Sequence, residues 1–341
     1  MKKLILSIIV LGITVNTYAQ QKPQYTQYVL NNYIINPAIT GIENYTDVKL
    51  GHRHQWVGLA DAPVTTYFTA HKALGKQDDR LTSTSFAKTG ENIRGNDYAN
   101  DYEASAPHHG IGIQVVNDRT GPLQNLTAKA TYAYHLGISR KWNLSGGVGV
   151  GINNVSLNTS KLFFGTDFPV DPAVFESGVL NKAGLDVDAG LWLYSDKVYV
   201  GAAALQIVPQ KVDYSNNIVK ITEGKKVPHL FLTAGYRYQV NEDVSITPST
   251  MVKLVGPNPI QIDANVKAQY RDLAWAGANY RIGYGFSGYA GFNAYNVVNI
   301  SYAYDYSFTK LNTVSRGTHE VILGFTIGNK YSMNTCPTRM W

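Results

Sequence analysis

Apolar and polar residues alternate along most of the chain, and this period of two limits the fold more than any other feature of the sequence. In the segment 261–270, every second residue is apolar, namely Ile262, Ala264, Val266, Ala268 and Tyr270. The segments 125–136 and 298–308 alternate in the same way. Because successive side chains of a β-strand point to opposite faces, these segments predict strands with one apolar and one polar face.

Fourteen segments of 10 to 15 residues fit this pattern. They are 46–57, 63–74, 108–118, 122–136, 142–155, 183–194, 197–208, 228–240, 243–255, 259–270, 272–281, 283–293, 296–308 and 317–328. A strand that crosses an outer membrane needs about 9–11 residues, whereas strands of globular proteins average about 5–6. Bacterial outer-membrane barrels also have an even number of strands. We therefore predict an all-β fold, a transmembrane outer-membrane β-barrel of about 14 antiparallel strands over residues 46–328.

The composition agrees with this prediction and excludes other classes. A mean hydropathy of -0.17 with 44% apolar residues excludes a helical multi-span membrane protein, but it is the average of an apolar outer and a polar inner barrel surface. A soluble β-sandwich is the alternative, which is disfavoured because long strands with polar inner faces would lack a partner sheet. The excess of 30 Lys and Arg over 24 Asp and Glu is too mild to indicate a nucleic-acid partner. The single Cys336 cannot form an intramolecular disulfide.

The segments outside the strands divide the chain further. Residues 1–19 have two lysines, an apolar run and a small residue at position 19, which predicts a secretory signal peptide that is cleaved after Ala19. Residues 20–45 are polar and aromatic without alternation, and Asn36-Pro37 favours an extended or turn geometry. We expect 20–45 to fold into or under the barrel as a plug, with a disordered periplasmic tail as the alternative. Residues 329–341 form a C-terminal tail.

The connections predict an orientation. The short turns 195–196, 241–242 and 271–272 alternate along the chain with long loops at 156–182, 209–227 and 309–316. Outer-membrane barrels have short periplasmic turns and long external loops. The long polar segment 75–107 breaks this rule, because it would lie on the periplasmic side.

Aromatic and charged side chains complete the barrel prediction. Residues near strand ends are expected to form aromatic girdles at the bilayer interfaces; they are Tyr132, Tyr134, Tyr236, Tyr238, Trp275, Tyr280, Tyr302 and Tyr304. Four charged residues are expected to face inward, where they could line a channel or pair across a filled lumen. They are Lys129, Arg237, Asp263 and Lys267.

Candidate chemistry is weak throughout the sequence. The stretch 283–288 has the spacing of a dinucleotide fingerprint, but strand-like sequence surrounds it where a helix is required. His52 and His54 share a strand face, yet no third metal ligand is placed beside them. A serine with His319 and Glu320 lacks any motif that would fix a catalytic geometry. We therefore expect no enzyme activity, no cofactor and no metal.

Several short motifs follow one another in a fixed order and cover nearly the whole chain after residue 19. In the predicted plug they include Gln27, Asn36, Pro37 and Gly41. In the predicted barrel they include Arg53, Gln55, Trp56, Asn117, Asp118, Gly121, Asp171, Pro172, Asp305, His319 and Glu320. This ordered set resembles the PorP/SprF family of the type IX secretion system of Bacteroidota.

The resemblance implies an outer-membrane barrel that binds, retains or exports a large surface adhesin through its type B C-terminal sorting domain, in gliding motility or adhesion. Expected partners are that sorting domain, other secretion components of periplasmic or lipoprotein type, and outer-membrane lipid. The alternative function is an outer-membrane channel or transporter for small molecules. The segment 75–107 is longer than expected in this family.

Overall fold

Strands dominate the computed structural model, which describes residues 22–76, 104–162, 179–209, 211–212, 224–225, 227–241, 243–256, 258–271, 273–294 and 297–328. Within these residues, fourteen antiparallel strands form one sheet. They are β1 (Thr46–His54), β2 (Val64–Leu74), β3 (His108–Thr120), β4 (Leu123–Ser139), β5 (Trp142–Asn158), β6 (Val179–Tyr194), β7 (Val198–Leu205), β8 (His229–Tyr236), β9 (Val244–Val255), β10 (Gln261–Tyr270), β11 (Ala274–Arg281), β12 (Gly285–Ala294), β13 (Val298–Ser307) and β14 (Thr318–Ile327). After Arg237, the short strand Tyr238–Gln239 continues β8 along β9.

Pairing of the first and last strands closes the barrel. β1 pairs with β14 from Thr46 opposite Ile327 to His54 opposite His319, and every other strand pairs with its neighbours in sequence. The predicted barrel of 14 strands is therefore confirmed. The bounds differ by a few residues: β6 begins at Val179 instead of residue 183, and β1 ends at His54, because Trp56 adopts a φ of 52° that a strand does not allow.

The connections separate the two ends of the barrel. One end, here called the loop end, carries the connections 55–63, 121–122, 159–178, 206–228, 256–260, 282–284 and 308–317. The opposite end, the turn end, carries 75–107, 140–141, 195–197, 240–243, 271–273 and 295–297. The segment 75–107 therefore does join β2 to β3 at the turn end; its residues 77–103 lie outside the described residues, as do residues 1–21 and 329–341.

The wall is taller on one side. β4, β5 and β6 are 16 or 17 residues long, whereas β10 to β14 have 8 to 10 residues. Residues 152–158 pair with 179–185 beyond the point at which β7 ends its pairing with β6, at Ala189. The loop end is therefore built up by a raised hairpin of β5 and β6. A short two-residue ladder joins Lys211–Val212 to Gly224–Lys225 outside the barrel sheet.

Side-chain direction follows the alternation. In β10, Asp263, Asn265 and Lys267 are buried inside the barrel, while Ala264 and Val266 are exposed on the outer surface. Polar residues therefore face the lumen and apolar residues face outward, as in a membrane barrel.

Seven of the eight predicted girdle residues are exposed on the outer face, and the eighth is not. Trp275 lies on the same strand face as Asn279 and Arg281, packs against the buried core and therefore points into the lumen. Its assignment to the girdle was wrong, because position near a strand end does not determine the face. The exposed ones are Tyr132, Tyr134, Tyr236, Tyr238, Tyr280, Tyr302 and Tyr304. Among the described residues, no helix is long and apolar enough to cross a bilayer.

Candidate functional site

The segment before β1 occupies the barrel lumen. Residues 26–43 are all buried, and they form three short 3₁₀ turns, Tyr28–Leu30, Asn32–Ile34 and Pro37–Ile39. The backbone nitrogen of Lys22 donates to Nε2 of His229 at the loop end (3.2 Å), while the carbonyl oxygen of Ile42 accepts from Lys76 at the turn end (2.8 Å). The segment 22–45, here called the lumen segment, thus runs down the lumen from the loop end, and β1 then returns along the wall.

Apolar packing holds the middle of the lumen segment. Its hydrophobic residues join inward-facing wall residues in two clusters, so the lumen has a core like that of a soluble domain. The larger cluster contains Tyr28, Val29, Leu30, Ile34, Ile35, Tyr67, Ala203, Leu205, Phe231, Met251, Tyr289, Ala303 and Ile322. The smaller one contains Tyr33, Ala38, Ile39, Ile42, Trp192, Tyr194 and Tyr199.

A buried ion cluster, here called the Arg53 cluster, fixes the part of the lumen segment that lies near the loop end. Arg53 of β1 contacts Glu320 of β14 through Nη1 (2.9 Å) and Asp305 of β13 through Nη2 (2.7 Å). Thr26 completes the cluster: its backbone nitrogen donates to Glu320 (2.8 Å), its hydroxyl donates to Asp305 (2.7 Å), and the same hydroxyl accepts from Arg53 (2.5 Å). The amide of Gln27 donates to the carbonyl oxygen of Glu320 (3.1 Å).

The register explains why these side chains meet. Arg53 lies directly opposite Glu320 in the β1–β14 pair, and Asp305 is opposite Thr318 on the next strand. All three charged side chains are at most 2% exposed. Buried charges must be paired and hydrogen-bonded to be tolerated, and here Thr26 supplies the remaining hydrogen bonds. Three of the motif residues singled out in the sequence therefore form one cluster that binds the lumen segment.

Two further groups of paired charges lie on the inner face of the wall. Arg281 of β11 binds Asp263 of β10 with both Nε (3.0 Å) and Nη2 (2.8 Å), and its Nη1 donates to the side chain of Gln24 (2.9 Å). Lys129 of β4 contacts Asp186 (3.0 Å) and Asp188 of β6. Asp263 and Lys129 thus each have an oppositely charged partner inside the filled lumen. Lys267 and Arg237 are also buried on the inner face.

Glycines in the wall make room for the lumen segment. A Cβ atom on Gly147 would lie 2.5 Å from backbone atoms of Pro37 and Ala38, and one on Gly190 would lie 2.0 Å from Oδ1 of Asn36. This close approach lets the Asn36 side chain hydrogen-bond on both sides. Its Oδ1 accepts from the backbone nitrogen of Ala38 (2.9 Å), and its Nδ2 donates to the carbonyl oxygen of Leu191 in the wall (3.1 Å). Asn36 is extended and Pro37 begins the third 3₁₀ turn, a position that suits proline.

Three histidines surround the bend at Gly41, where the lumen segment turns toward β1. Gly41 has a φ of +78°, and a Cβ there would lie 2.4 Å from the Cα of Gly110. Its backbone nitrogen donates to Nδ1 of His71 (3.1 Å), and its carbonyl oxygen accepts from Nε2 of His108 (3.2 Å). His135 stacks on His108 with 4.5 Å between ring centroids and donates from Nε2 to the Thr40 carbonyl oxygen (2.9 Å).

A cavity of about 550 Å³, here called the vestibule, lies above the lumen segment at the loop end. Its floor is formed by Lys22, Pro23 and Gln24, and its lining includes Gln55 and Trp56. The remaining lining residues are Pro63, Thr65, Asp118, Thr120, Leu123, Asn125, Val155, Gln206, Tyr284, Thr309 and Leu311. Burial lowers the pKa of Lys22 to about 8, although Asp188 opposes this change.

The loop-end connections are tied to one another beside the vestibule. The backbones of Val57 and Gly317 are joined by a hydrogen bond of 2.9 Å. The indole nitrogen of Trp56 donates to the hydroxyl of Tyr284 (3.1 Å). Lys161 contacts Asp61 at 2.8 Å and, through that hydrogen bond, holds the pKa of the Asp61 carboxyl below its usual range.

The other predicted residues lie in several places. Asp118 accepts from the hydroxyl of Thr65 (2.6 Å) at the vestibule, while Asn117 accepts from the exposed Gln124 (2.9 Å). Gly121 has a φ of +58° in the turn between β3 and β4. His319 faces outward and contacts the hydroxyl of Tyr302 (2.6 Å). Asp171 and Pro172 lie outside the described residues.

The weaker chemical candidates do not assemble. His52 lies on the outer face and contacts Thr66 (2.9 Å). Gly283 belongs to a turn and β12 begins at Gly285, so no helix N-terminus follows the glycine-rich stretch. In the described part of the chain, no group of three His, Cys, Asp or Glu side chains is arranged to hold a metal ion.

Comparison with known proteins decides the family. The family model described as the type IX secretion system membrane protein PorP/SprF matches residues 17–325. The chain belongs to this family. A search of the curated proteins finds no match.

Several solved structures are similar to this PorP/SprF protein. The Ralstonia pickettii toluene transporter TbuX is 12% identical with a TM-score of 0.50, over 87% of this chain and 93% of TbuX. A monoaromatic hydrocarbon channel mutant of TodX is 10% identical with a TM-score of 0.48, over 87% of this chain and 94% of its own. Omp33 of Acinetobacter baumannii is 8% identical with a TM-score of 0.46, over 84% of this chain and 100% of its own.

At these identities, the likeness to TbuX shows the barrel fold alone. The family is that of an outer-membrane component of the type IX secretion system.

Proposed function

We propose that this PorP/SprF protein holds the type B C-terminal sorting domain of a large surface adhesin at the loop end of its barrel, and that this serves export or surface retention in gliding motility or adhesion. The adhesin crosses the membrane through a separate translocon and is then bound noncovalently. The loop end faces the cell exterior, as long loops of outer-membrane barrels do. Other type IX components, periplasmic or lipoprotein, are the further partners.

The observation that carries this proposal is the filled lumen. The lumen segment packs against both sides of the wall through the two apolar clusters, and the Arg53 cluster fixes it near the loop end. A barrel whose own chain fills the interior favours a binding role over passage of a large substrate. The raised hairpin of β5 and β6 exposes Ile152, Val179 and Leu185, and the tied loops carry the exposed pair of Lys161 and Asp61. This end of the barrel therefore offers the mixture of apolar and polar surface that protein interfaces use.

Native co-purification tests the proposal. A tagged chain is extracted from native outer membranes in mild detergent, and its partners are identified by mass spectrometry. We expect an adhesin and type IX components with the wild-type protein, and much less adhesin with a variant that lacks Lys310–Thr313 at the loop end. The matched control replaces the turn-end residues Arg140 and Lys141 by Gln, and it should retain the adhesin.

The alternative role as a small-molecule channel makes the opposite predictions. Recovery of neither an adhesin nor a secretion component, together with steady conductance of the wild-type protein in planar bilayers, would refute adhesin binding and support a channel.

A further inference from the structure

The vestibule ends on the lumen segment. Its floor consists of Lys22, Pro23 and Gln24, and Gln24 is fixed by the 2.9 Å hydrogen bond from Arg281. Directly below lie Thr26 and the Arg53 cluster. A molecule that enters from the loop end therefore meets the lumen segment, and a cavity of about 30 Å³ continues past Lys22 and Pro23 toward Ile34 and Lys129.

Two side-chain amides in the vestibule are left for a ligand. Gln206 is 7% exposed, and its backbone nitrogen donates to Asp188 (2.8 Å). Its side-chain amide, like that of Gln55, has no hydrogen-bond partner within the part of the chain that the structure describes. Both amides can be reached from the cavity, since neither belongs to the fully buried side-chain groups that lack a partner. A ligand that both donates and accepts hydrogen bonds would satisfy these two glutamines.

Backbone strain occurs at two residues that line the vestibule. Trp56 has a φ of 52° and Gln206 a φ of 57°, values that are unfavourable for residues with a side chain. Both residues line the vestibule. Strained backbone concentrates at binding and catalytic sites, where the surrounding structure holds it in place. The indole of Trp56 is fixed further by its hydrogen bond to Tyr284, which makes an aromatic surface in the wall.

The lining chemistry indicates the class of ligand. Most polar groups are amides and hydroxyls, and the two charged residues are already engaged: Asp118 accepts from Thr65, and Lys22 lies within the field of Asp188. Amide side chains donate and accept as the peptide backbone does, and aromatic surfaces pack well against proline or aliphatic side chains. A cavity of about 550 Å³ admits only a short stretch of chain and no folded domain.

We propose that the vestibule binds a short, extended and mainly uncharged peptide segment of the protein partner, a chain terminus or a loop of the sorting domain. Gln55 and Gln206 hydrogen-bond the backbone of this segment, and Trp56 with Tyr284 packs against one of its side chains. This inference rests on the proposed function, since it names the part of that partner which enters the barrel.

Site-specific photocrosslinking tests the inference in the full-length protein in native membranes. Benzoylphenylalanine is placed at Leu311 in the vestibule and, as the control, at Tyr238 on the outer face. We expect Leu311 to crosslink to a single short peptide of the adhesin sorting domain, and Tyr238 to give no adhesin crosslink.

A vestibule-filling variant gives the second readout. Asn125→Trp should lower co-purified adhesin at least tenfold, while Leu232→Trp on the outer face should leave the amount unchanged, with both barrels running heat-modifiably on gels. Full adhesin recovery with Asn125→Trp and no crosslink from Leu311 would overturn the inference and leave adhesin binding intact. A crosslink from Leu311 to lipopolysaccharide sugar would also overturn it. Failure of the proposed function is distinct, because the wild-type protein then recovers no adhesin.

Discussion

Removal of the charge at Arg53 tests how the lumen segment is held. Arg53→Met keeps much of the side-chain volume but removes the cation that bonds to both Asp305 and Glu320. Loss of one partner of a buried ion pair costs about 3–5 kcal/mol, because an uncompensated charge stays buried. Thr26 keeps its hydrogen bonds to the two carboxylates but loses the donor to its hydroxyl oxygen.

The expected result is a loss of about 3–5 kcal/mol in the free energy of unfolding, which is roughly a hundredfold to several thousandfold in the equilibrium constant. Reversible urea unfolding in lipid vesicles, followed by tryptophan fluorescence, measures this quantity. Two controls isolate the cause. The triple variant Arg53→Met, Asp305→Asn and Glu320→Gln removes all the charges and should regain most of the loss. Arg271→Met breaks the half-exposed pair with Asp243 and should change stability far less.

Two outcomes would contradict a stabilising role of the buried Arg53 charge. One is a single variant Arg53→Met within about 1 kcal/mol of the wild type, because a buried charge network cannot lose its cation at so small a cost. The other is a triple variant no more stable than the single variant, which would place the loss in packing instead of in the unpaired carboxylates.

Three further predictions concern the lumen. Deletion of residues 22–41 should produce stable ion conductance in planar bilayers where the full chain is closed, and unchanged conductance from a folded barrel would contradict the plug. Gly147→Val should lower the free energy of unfolding in urea by about 1–3 kcal/mol or more, since a Cβ there would lie 2.5 Å from the backbone of Ala38. Gly146→Ala should have little effect, because the nearest neighbour of a Cβ at that position lies 3.7 Å away. Lys22 should react with an amine-selective reagent with a midpoint near pH 8, because burial makes its neutral form available; a midpoint above pH 10 would contradict that burial.

The barrel wall could be predicted from the sequence because its signal is local. Asp263 and Val266 reveal their faces by their place in an alternating segment, and the alternation needs no knowledge of the partner strand. Trp275 shows the limit of such reasoning. Its position near the start of β11 indicated a girdle. Trp275 is separated from Asn279 and Arg281 by an even number of positions, however, so it shares their strand face and points into the lumen.

The interior could not be predicted in the same way, since it depends on contacts between distant residues. Arg53 and Glu320 are 267 positions apart and meet only because the barrel closes between β1 and β14. Their motifs marked them as notable without indicating that they meet. The direction in which the lumen segment runs could not be predicted from the sequence either. Nothing local to residues 22–45 shows that the segment starts at the loop end, a fact that follows from the contacts of Lys22 with His229 and of Thr26 with Arg53.

Equilibrium binding of the purified partners shows whether the loop end holds the sorting domain. The full-length barrel in lipid nanodiscs is titrated with the purified type B sorting domain of the adhesin that accompanies it, and heat of binding is recorded by calorimetry. We expect saturable one-to-one binding that the loop-end deletion of Lys310–Thr313 weakens and the turn-end substitution of Arg140 and Lys141 does not. Absence of binding by a folded wild-type barrel, or equal binding by all three proteins, would contradict it.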